Sequence, residues 1–141
     1  MPTIILSATL EALAQGTAFV AEQAVAAGFL PKRVMEIELA IEEMLTNICN
    51  YAYSGKTGEM EVRCMEVRCN VDEARCLQIE ISDTGVPFDI LSVPSPDVTS
   101  DLTTRAVGGL GLFLVRKIVD EITYRRANDH NIVRLVVCQP S

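Results

Sequence analysis

One segment, from residue 36 to residue 53, combines helical spacing with side chains that can do chemistry. If the segment is a helix, a stripe about 60° wide contains only glutamate and asparagine: Glu36, Glu43, Asn47 and Asn50. Apolar residues recur on the opposite side: Ile37, Ile41, Leu45, Ile48 and Ala52. The polar stripe offers oxygen ligands for a metal ion together with a possible proton acceptor.

Glu43 is the better candidate for chemistry, because Glu42 points about 100° away from the stripe. The alternative is a solvated acidic face. Outer helix faces more often carry lysine and arginine, however, and this stripe has neither.

Asp83 follows a clean alternation of Leu77, Ile79 and Ile81, so it ends a predicted strand. An ionised carboxylate only accepts hydrogen bonds and can therefore bind an amino group such as that of adenine. The alternative is an aspartate that only shapes the turn before Gly85.

Gly109 and Gly111 stand immediately before a helical pattern. Free backbone N–H groups at the positive end of a helix suit phosphate. The alternative is a pair of glycines that merely ends a loop.

The surrounding elements position these residues. Ser7 or Thr9 can cap the first helix, Gly28 closes it, and Pro31 suits the first turn of the second. The predicted strands are 3–6, 60–71, 77–81, 122–126 and 131–137. Three helices are predicted: the first ends near residue 27, the second spans 31–53 and the third spans 108–121. Within 60–71 the apolar phase shifts after Cys64, which indicates a bulge or a strand buried on both faces. Residues 90–108 form a long loop of the kind that acts as a lid.

Composition limits the function classes. With 141 residues, the chain is expected to form one domain over residues 1–141. A net charge of -7 argues against direct binding to nucleic acid or to an anionic membrane. Five cysteines without framework spacing indicate reduced thiols in a cytoplasmic protein.

Three motifs in order resemble a known superfamily. Glu43-x-x-x-Asn47, Asp83-x-Gly85-x-Pro87-Phe88-Asp89 and Gly108-Gly109-Leu110-Gly111-Leu112 are similar to the N, G1 and G2 boxes of GHKL ATPases and kinases. Within that superfamily the chain most resembles the bacterial anti-sigma-factor serine kinases of the RsbW and SpoIIAB type. The sequence departs from the pattern of this family in two places. Tyr51 replaces a histidine found in many of these kinases, and residues 90–104 carry no pattern that aligns with theirs.

The resemblance implies an α+β fold, a two-layer sandwich in which helices cover one face of a mixed β-sheet. It also implies that ATP binds with Mg²⁺ held by Asn47, that Glu43 is the general base, and that Asp83 binds the adenine amino group. Further ATP contacts are implied at Asn50, Gly85, Phe88, Arg105, Gly108, Gly109, Leu110, Gly111 and Leu112. Arg105 in the lid can reach the γ-phosphate, and the alternative is a solvated lid arginine.

Three functions compete. The first is a protein serine kinase that phosphorylates a STAS-type anti-sigma-factor antagonist and binds a sigma factor, as a cytoplasmic homodimer. The second is a nucleotide-dependent regulatory binding module without catalysis. The third is a detached ATP-binding domain of a histidine kinase, against which stands the position of His130, the only histidine, in a predicted C-terminal turn.

Overall fold

The computed structural model describes residues 1–53, 56–68, 74–92 and 109–139. The strands in these ranges are β1 (Thr3–Ser7), β2 (Glu59–Arg68), β3 (Arg75–Asp83), β4 (Glu121–Ala127) and β5 (His130–Cys138). The helices are α1 (Leu13–Ala26), α2 (Pro31–Asn47) and α3 (Gly109–Ile118). Shorter turns are a π-helical turn at Ile48–Ala52 and 3-10 turns at Leu10–Ala12 and Ile90–Ser92.

The strands form one sheet in the order β1-β2-β3-β5-β4, and each neighbouring pair is antiparallel. The predicted α+β fold, with helices packed on one face of the sheet, is confirmed. The detail of a mixed sheet was wrong, because no parallel pair occurs among the described strands. The crossover through α3 makes β4 run in the direction of β3, but the hairpin return places β5 between them.

Alternate residues of the central strands face the helices. They share one buried cluster with the apolar side of α2: Leu77, Ile79, Ile81, Val133, Leu135, Val137, Ile37, Ile41 and Leu45. Fully burying one such side chain stabilises the fold by about 1.5–3 kcal/mol. This core fixes the end of β3 beside the beginning of β5, where the polar residues of the candidate site lie.

The helix boundaries follow some of the predicted signals. Gly28 ends α1 with a φ of 91°, and Pro31 lies in the first turn of α2. Capping by Ser7 or Thr9 was wrong, because Ser7 belongs to β1 and Thr9 makes no side-chain hydrogen bond to the 3-10 turn that precedes α1. None of the helices in the described ranges is long and apolar enough to span a bilayer.

β2 is a continuous strand. Its register against β3 runs from Met60 opposite Asp83 to Arg68 opposite Arg75 without a skipped residue, so the predicted bulge was wrong. Burial on both faces was wrong too, because Met65 is exposed. The apolar phase shifts because Met60, Val62 and Cys64 face the core, whereas Met65 points to the open face of the sheet.

A disulfide joins Cys76 of β3 to Cys138 of β5. The prediction that all five cysteines are reduced was therefore wrong for this pair. The two residues are 62 positions apart in the sequence, and only the register of the strands places them opposite each other. Cys49 and Cys64 are free and buried, and Cys69 lies outside the described residues.

Candidate nucleotide-binding site

Glu43 and Asn47 lie one turn apart on α2. Asn47 is buried, and its Nδ2 donates to the carbonyl oxygen of Glu43 at 2.7 Å. Because a carbonyl oxygen only accepts, this contact identifies the amide nitrogen and leaves Oδ1 directed elsewhere. An amide oxygen oriented in this way can ligate a divalent cation.

The two neighbouring glutamates differ in their surroundings. The Glu43 side chain is half-buried, whereas Glu42 is exposed. Burial, and secondarily the charge of Glu42, raise the pKa of Glu43. A carboxylate with a raised pKa is a stronger base, so the difference supports Glu43 as the candidate proton acceptor.

A π-helical turn follows Asn47, and in it the N–H of Tyr53 donates to the carbonyl oxygen of Ile48 at 3.3 Å. Each residue in such a turn rotates by a smaller angle about the helix axis than a residue in an α-helix does. The predicted stripe is therefore interrupted, and Asn50 is exposed although Asn47 is buried. The carbonyl oxygen of Ala52 is left to accept the N–H of Val86 at 2.9 Å, which attaches the turn after β3 to the end of the helix.

Gly85 lies against the carbonyl group of Ala52. A Cβ atom at position 85 would be only 2.5 Å from the Ala52 oxygen, well inside van der Waals contact. Glycine is required here because two backbone segments meet. The resemblance implied an ATP contact at Gly85, and in the structure the backbone segment that lies against Gly85 is the π-helical turn.

Asp83 ends β3 and is 3% exposed. Its Oδ1 accepts hydrogen bonds from the N–H of Gly85 and from Nδ2 of Asn131, both at 2.9 Å. Burial raises the pKa of Asp83, and these hydrogen bonds and the nearby Arg126 and His130 offset only part of that effect. Oδ2 makes no hydrogen bond to the residues that the structure describes, so it is available as an acceptor.

Asn131 was not predicted from the sequence, yet it organises the turn after β3. It is 1% exposed and lies opposite Asp83 in the strand register. Its Nδ2 also donates to the carbonyl oxygen of Val86 at 2.8 Å, and its Oδ1 accepts from the N–H of Phe88 at 3.1 Å and the hydroxyl of Tyr124 at 2.7 Å. The available signal was a polar residue at a core-facing position of the β5 alternation.

Tyr53 was missed as well. Its buried hydroxyl donates to the carbonyl oxygen of Glu59 at 2.5 Å and accepts the N–H of Thr84 at 2.9 Å. Gly58 passes so close that a Cβ there would overlap the Tyr53 ring. No local pattern indicates this role, because Thr84 is 31 residues away in the sequence.

Two other side chains contact the same turn. The half-buried ring of Phe88 lies 5.2 Å, centroid to centroid, from the ring of Tyr51. Arg126 of β4 donates from Nη1 to the carbonyl oxygen of Gly85 at 2.9 Å.

Burial and, to a smaller extent, the charge of Asp83 raise the pKa of Cys49, which lies in the π-helical turn. The Asp83 carboxylate is therefore close to that turn.

The third motif begins α3. Gly109 is the first residue of the helix and Gly111 lies in its first turn, where backbone N–H groups have no acceptor within the helix. Leu112 is buried, so its side chain packs inside the protein. Arg105, Gly108 and the side chain of Leu110 lie outside the described residues, as does most of the predicted lid.

The oxygen donors suit a metal ion that arrives with a nucleotide. Within the described ranges, no group of three or more His, Cys, Asp or Glu side chains is arranged to hold a metal ion. Mg²⁺ usually takes only one or two protein oxygens and completes its shell with phosphates and water. Oδ1 of Asn47 fits that requirement.

Comparison with known proteins gives three similarities in sequence. The profile of the family described as "Histidine kinase-like ATPase domain" matches residues 6–137. The serine-protein kinase RsbW of Listeria monocytogenes is 29% identical over 125 residues, which cover 85% of this chain and 76% of RsbW. RsbW of Bacillus pumilus is 33% identical over 99 residues, which cover 67% of this chain and 59% of that protein.

Two solved structures share the fold. The RsbU and RsbW domains of Rv1364c from Mycobacterium tuberculosis align with all of this chain and 34% of theirs, with a TM-score of 0.58 and 16% identity. One chain of the SiaB–SiaC complex from Pseudomonas aeruginosa aligns with 99% of this chain over 90% of its own length, with a TM-score of 0.54 and 15% identity. The structures support the architecture and the profile covers nearly the whole sequence, so the chain belongs to the histidine kinase-like ATPase domain family.

Proposed function

We propose that this chain is an ATP-dependent protein serine kinase that phosphorylates a STAS-type anti-sigma-factor antagonist and binds a sigma factor. Membership of the family supports the use of ATP, and similarity to RsbW supports transfer to serine. The observation that carries the proposal is the half-buried Glu43, with its raised pKa, one turn before Asn47.

In the proposed reaction, Glu43 accepts the proton of the substrate serine hydroxyl. The hydroxyl oxygen forms a bond to the γ-phosphorus while the bond between that phosphorus and the β,γ-bridging oxygen breaks, and ADP leaves. Asn47 would hold Mg²⁺ through its side-chain oxygen, and the bound ion would neutralise phosphate charge. Oδ2 of Asp83 accepts a hydrogen bond from the adenine amino group.

The remaining contacts complete the proposed site. The backbone N–H groups of Gly109 and Gly111 would bind phosphate at the start of α3. Contacts from Asn50, Phe88, Arg105, Gly108 and Leu110 remain predictions, and the buried Leu112 would act by supporting the first turn of that helix.

The location and the assembly are proposed as well. A cytoplasmic homodimer follows from the resemblance to RsbW-type kinases alone. The disulfide between Cys76 and Cys138 removes the support that reduced thiols gave to a cytoplasmic location.

The proposal is tested by phosphate transfer from labelled ATP to candidate STAS proteins. Glu43→Gln should still bind Mg-ATP but lose about 100- to 10,000-fold in transfer rate, the usual contribution of a general base. Asn47→Ala should lose Mg-ATP binding. Glu42→Gln is the matched control and should keep the parent's Mg-ATP binding and its transfer rate at neutral pH, since Glu42 is exposed.

The pH dependence of transfer adds a second readout. Glu43 accepts a proton only when ionised, and its pKa is raised above the ordinary value of 4.5. The rate should therefore fall on acidification at a higher pH than an ordinary glutamate would give. Tight ATP binding without transfer to any STAS protein would favour a binding module, and absence of ATP binding would contradict the whole proposal.

A further inference from the structure

Two backbone groups determine the orientation of the Asn131 amide. The N–H of Phe88 can only donate, and it contacts Oδ1 at 3.1 Å. The carbonyl of Val86 can only accept, and it contacts Nδ2 at 2.8 Å. Flipping the amide would place like groups against each other at both contacts. The second hydrogen of Nδ2 is therefore the one directed at Asp83.

That hydrogen fixes the Asp83 carboxylate in turn. Oδ1 of Asp83 accepts from Asn131 and from the N–H of Gly85, both at 2.9 Å. Rotating the carboxylate would break both hydrogen bonds at a buried position, where unsatisfied polar groups are costly. Two N–H donors also favour the ionised form of the group, which offsets part of the rise in its pKa that burial causes. Oδ2 is left as an acceptor whose position is fixed.

We propose that Asn131 is a specificity-determining residue that restricts the nucleotide site to bases presenting an amino group to Oδ2 of Asp83. The inference rests on the proposed ATP site. Adenine presents an N–H donor to this oxygen, whereas guanine presents a carbonyl at the corresponding position, so two acceptors would meet. A carboxyl group free to rotate or to carry a proton could donate as well as accept, and it would discriminate less between the two bases.

Tyr124 supports the arrangement from the next strand. Its hydroxyl donates to Oδ1 of Asn131 at 2.7 Å, on the side of the amide away from Asp83. With this bond, both hydrogens and both acceptor positions of the Asn131 amide are used. Asn131 acts through Asp83 and is a positioning residue rather than a direct ligand of the base.

The test compares the affinities of ATP, GTP and purine riboside triphosphate, which lacks only the 6-amino group of ATP. Titration calorimetry with Mg²⁺ measures all three. The parent should prefer ATP over the purine analogue by about tenfold or more, the typical value of a hydrogen bond to a charged group. In Asn131→Ala this ratio should approach one, and in Tyr124→Phe it should fall about twofold, since one neutral hydrogen bond is lost.

Val133→Ala is the matched control. Val133 is buried on the same face of β5, two residues further along, and makes no part of the polar cluster. Its truncation should lower stability and leave the ratio of affinities unchanged. A general loss of stability would thus be distinguished from a loss of base selection.

The outcomes separate this inference from the proposed function. A folded Asn131→Ala variant with the parent's ratio overturns the inference. If that variant does not fold, Tyr124→Phe decides, and an unchanged ratio there overturns the inference instead. A parent protein that binds no ATP overturns the proposed function as well.

Discussion

The two ends of the β3–β5 ladder are fastened by different chemistry. At one end Asp83 lies opposite Asn131, and a 2.9 Å hydrogen bond joins their side chains. At the other end Cys76 lies opposite Cys138, and a disulfide joins them. The hydrogen-bonded end leaves one carboxylate oxygen of Asp83 available to a ligand. At the covalent end, both sulfur atoms are used in the disulfide. A site that recognises a ligand must keep a polar atom unpaired within the protein, whereas an end with a purely structural role need not.

The contacts around the covalent end agree with that distinction. Asp120 accepts the N–H of Cys138 at 2.7 Å and lies 3.7 Å from the guanidinium of Arg33 on α2. Gln139 donates to the carbonyl oxygen of Ala27, just beyond α1, at 2.9 Å. This end joins the helices to the sheet, and it lies at the opposite end of the strands from the candidate nucleotide site.

The largest expected effect comes from opening the covalent end. Cys76→Ser combined with Cys138→Ser should lower the free energy of unfolding by about 3 kcal/mol, because the disulfide closes a loop in the unfolded chain. ATP affinity should stay within about twofold of the parent. Chemical denaturation and titration calorimetry measure the two quantities.

Dithiothreitol provides the control for that variant. It should destabilise the parent by a similar amount and leave the double variant unchanged. If breaking the disulfide weakened ATP binding as strongly as it lowered stability, the two ends would not be independent.

Asp83→Asn should have the reverse profile. The two N–H donors at Oδ1 would hold the amide oxygen of the variant in place, so its nitrogen would take the position of Oδ2 and face the adenine amino group. ATP affinity should fall about 10- to 100-fold, as for loss of a charged hydrogen bond. Stability at neutral pH should be unchanged or higher, because the raised pKa means that burial disfavours the ionised carboxylate in the folded state. A loss of stability larger than the loss of affinity would identify Asp83 as a structural residue.

Arg126→Ala should have the smallest effect. Arg126 is exposed, and its hydrogen bond to the carbonyl of Gly85 is open to solvent, so ATP affinity should fall only about twofold. Arg125→Ala is the matched control, since Arg125 is also exposed and, by the strand alternation, points to the other face of the sheet. An equal change in both variants would indicate a general effect of charge rather than support of the turn.

Sequence reasoning succeeded where the information is local. The helical period placed Glu43 and Asn47 one turn apart, and the strand alternation placed Asp83 at the end of β3. The glycine motif correctly indicated the start of α3. Each of these positions depends on residues within about one turn of helix or a few strand positions.

The missed features all depend on the register between distant segments. Asn131 acquires its role because it lies opposite Asp83, and Cys138 because it lies opposite Cys76. Tyr53 meets Thr84 only after the sheet has formed. The pairing of β3 with β5 was not predicted either. The alternation within each strand does not indicate that β5 lies between β3 and β4.

The π-helical turn at Ile48–Ala52 makes the length of this segment matter as much as its composition. Deleting one residue would restore an ordinary α-helix and carry the carbonyl of Ala52 away from Val86. The same change would rotate Tyr53 away from Thr84. Substitutions on the exposed side of the π-helical turn would preserve both contacts. A single insertion or deletion would instead detach the turn after Asp83 from α2, the helix that carries the candidate base Glu43.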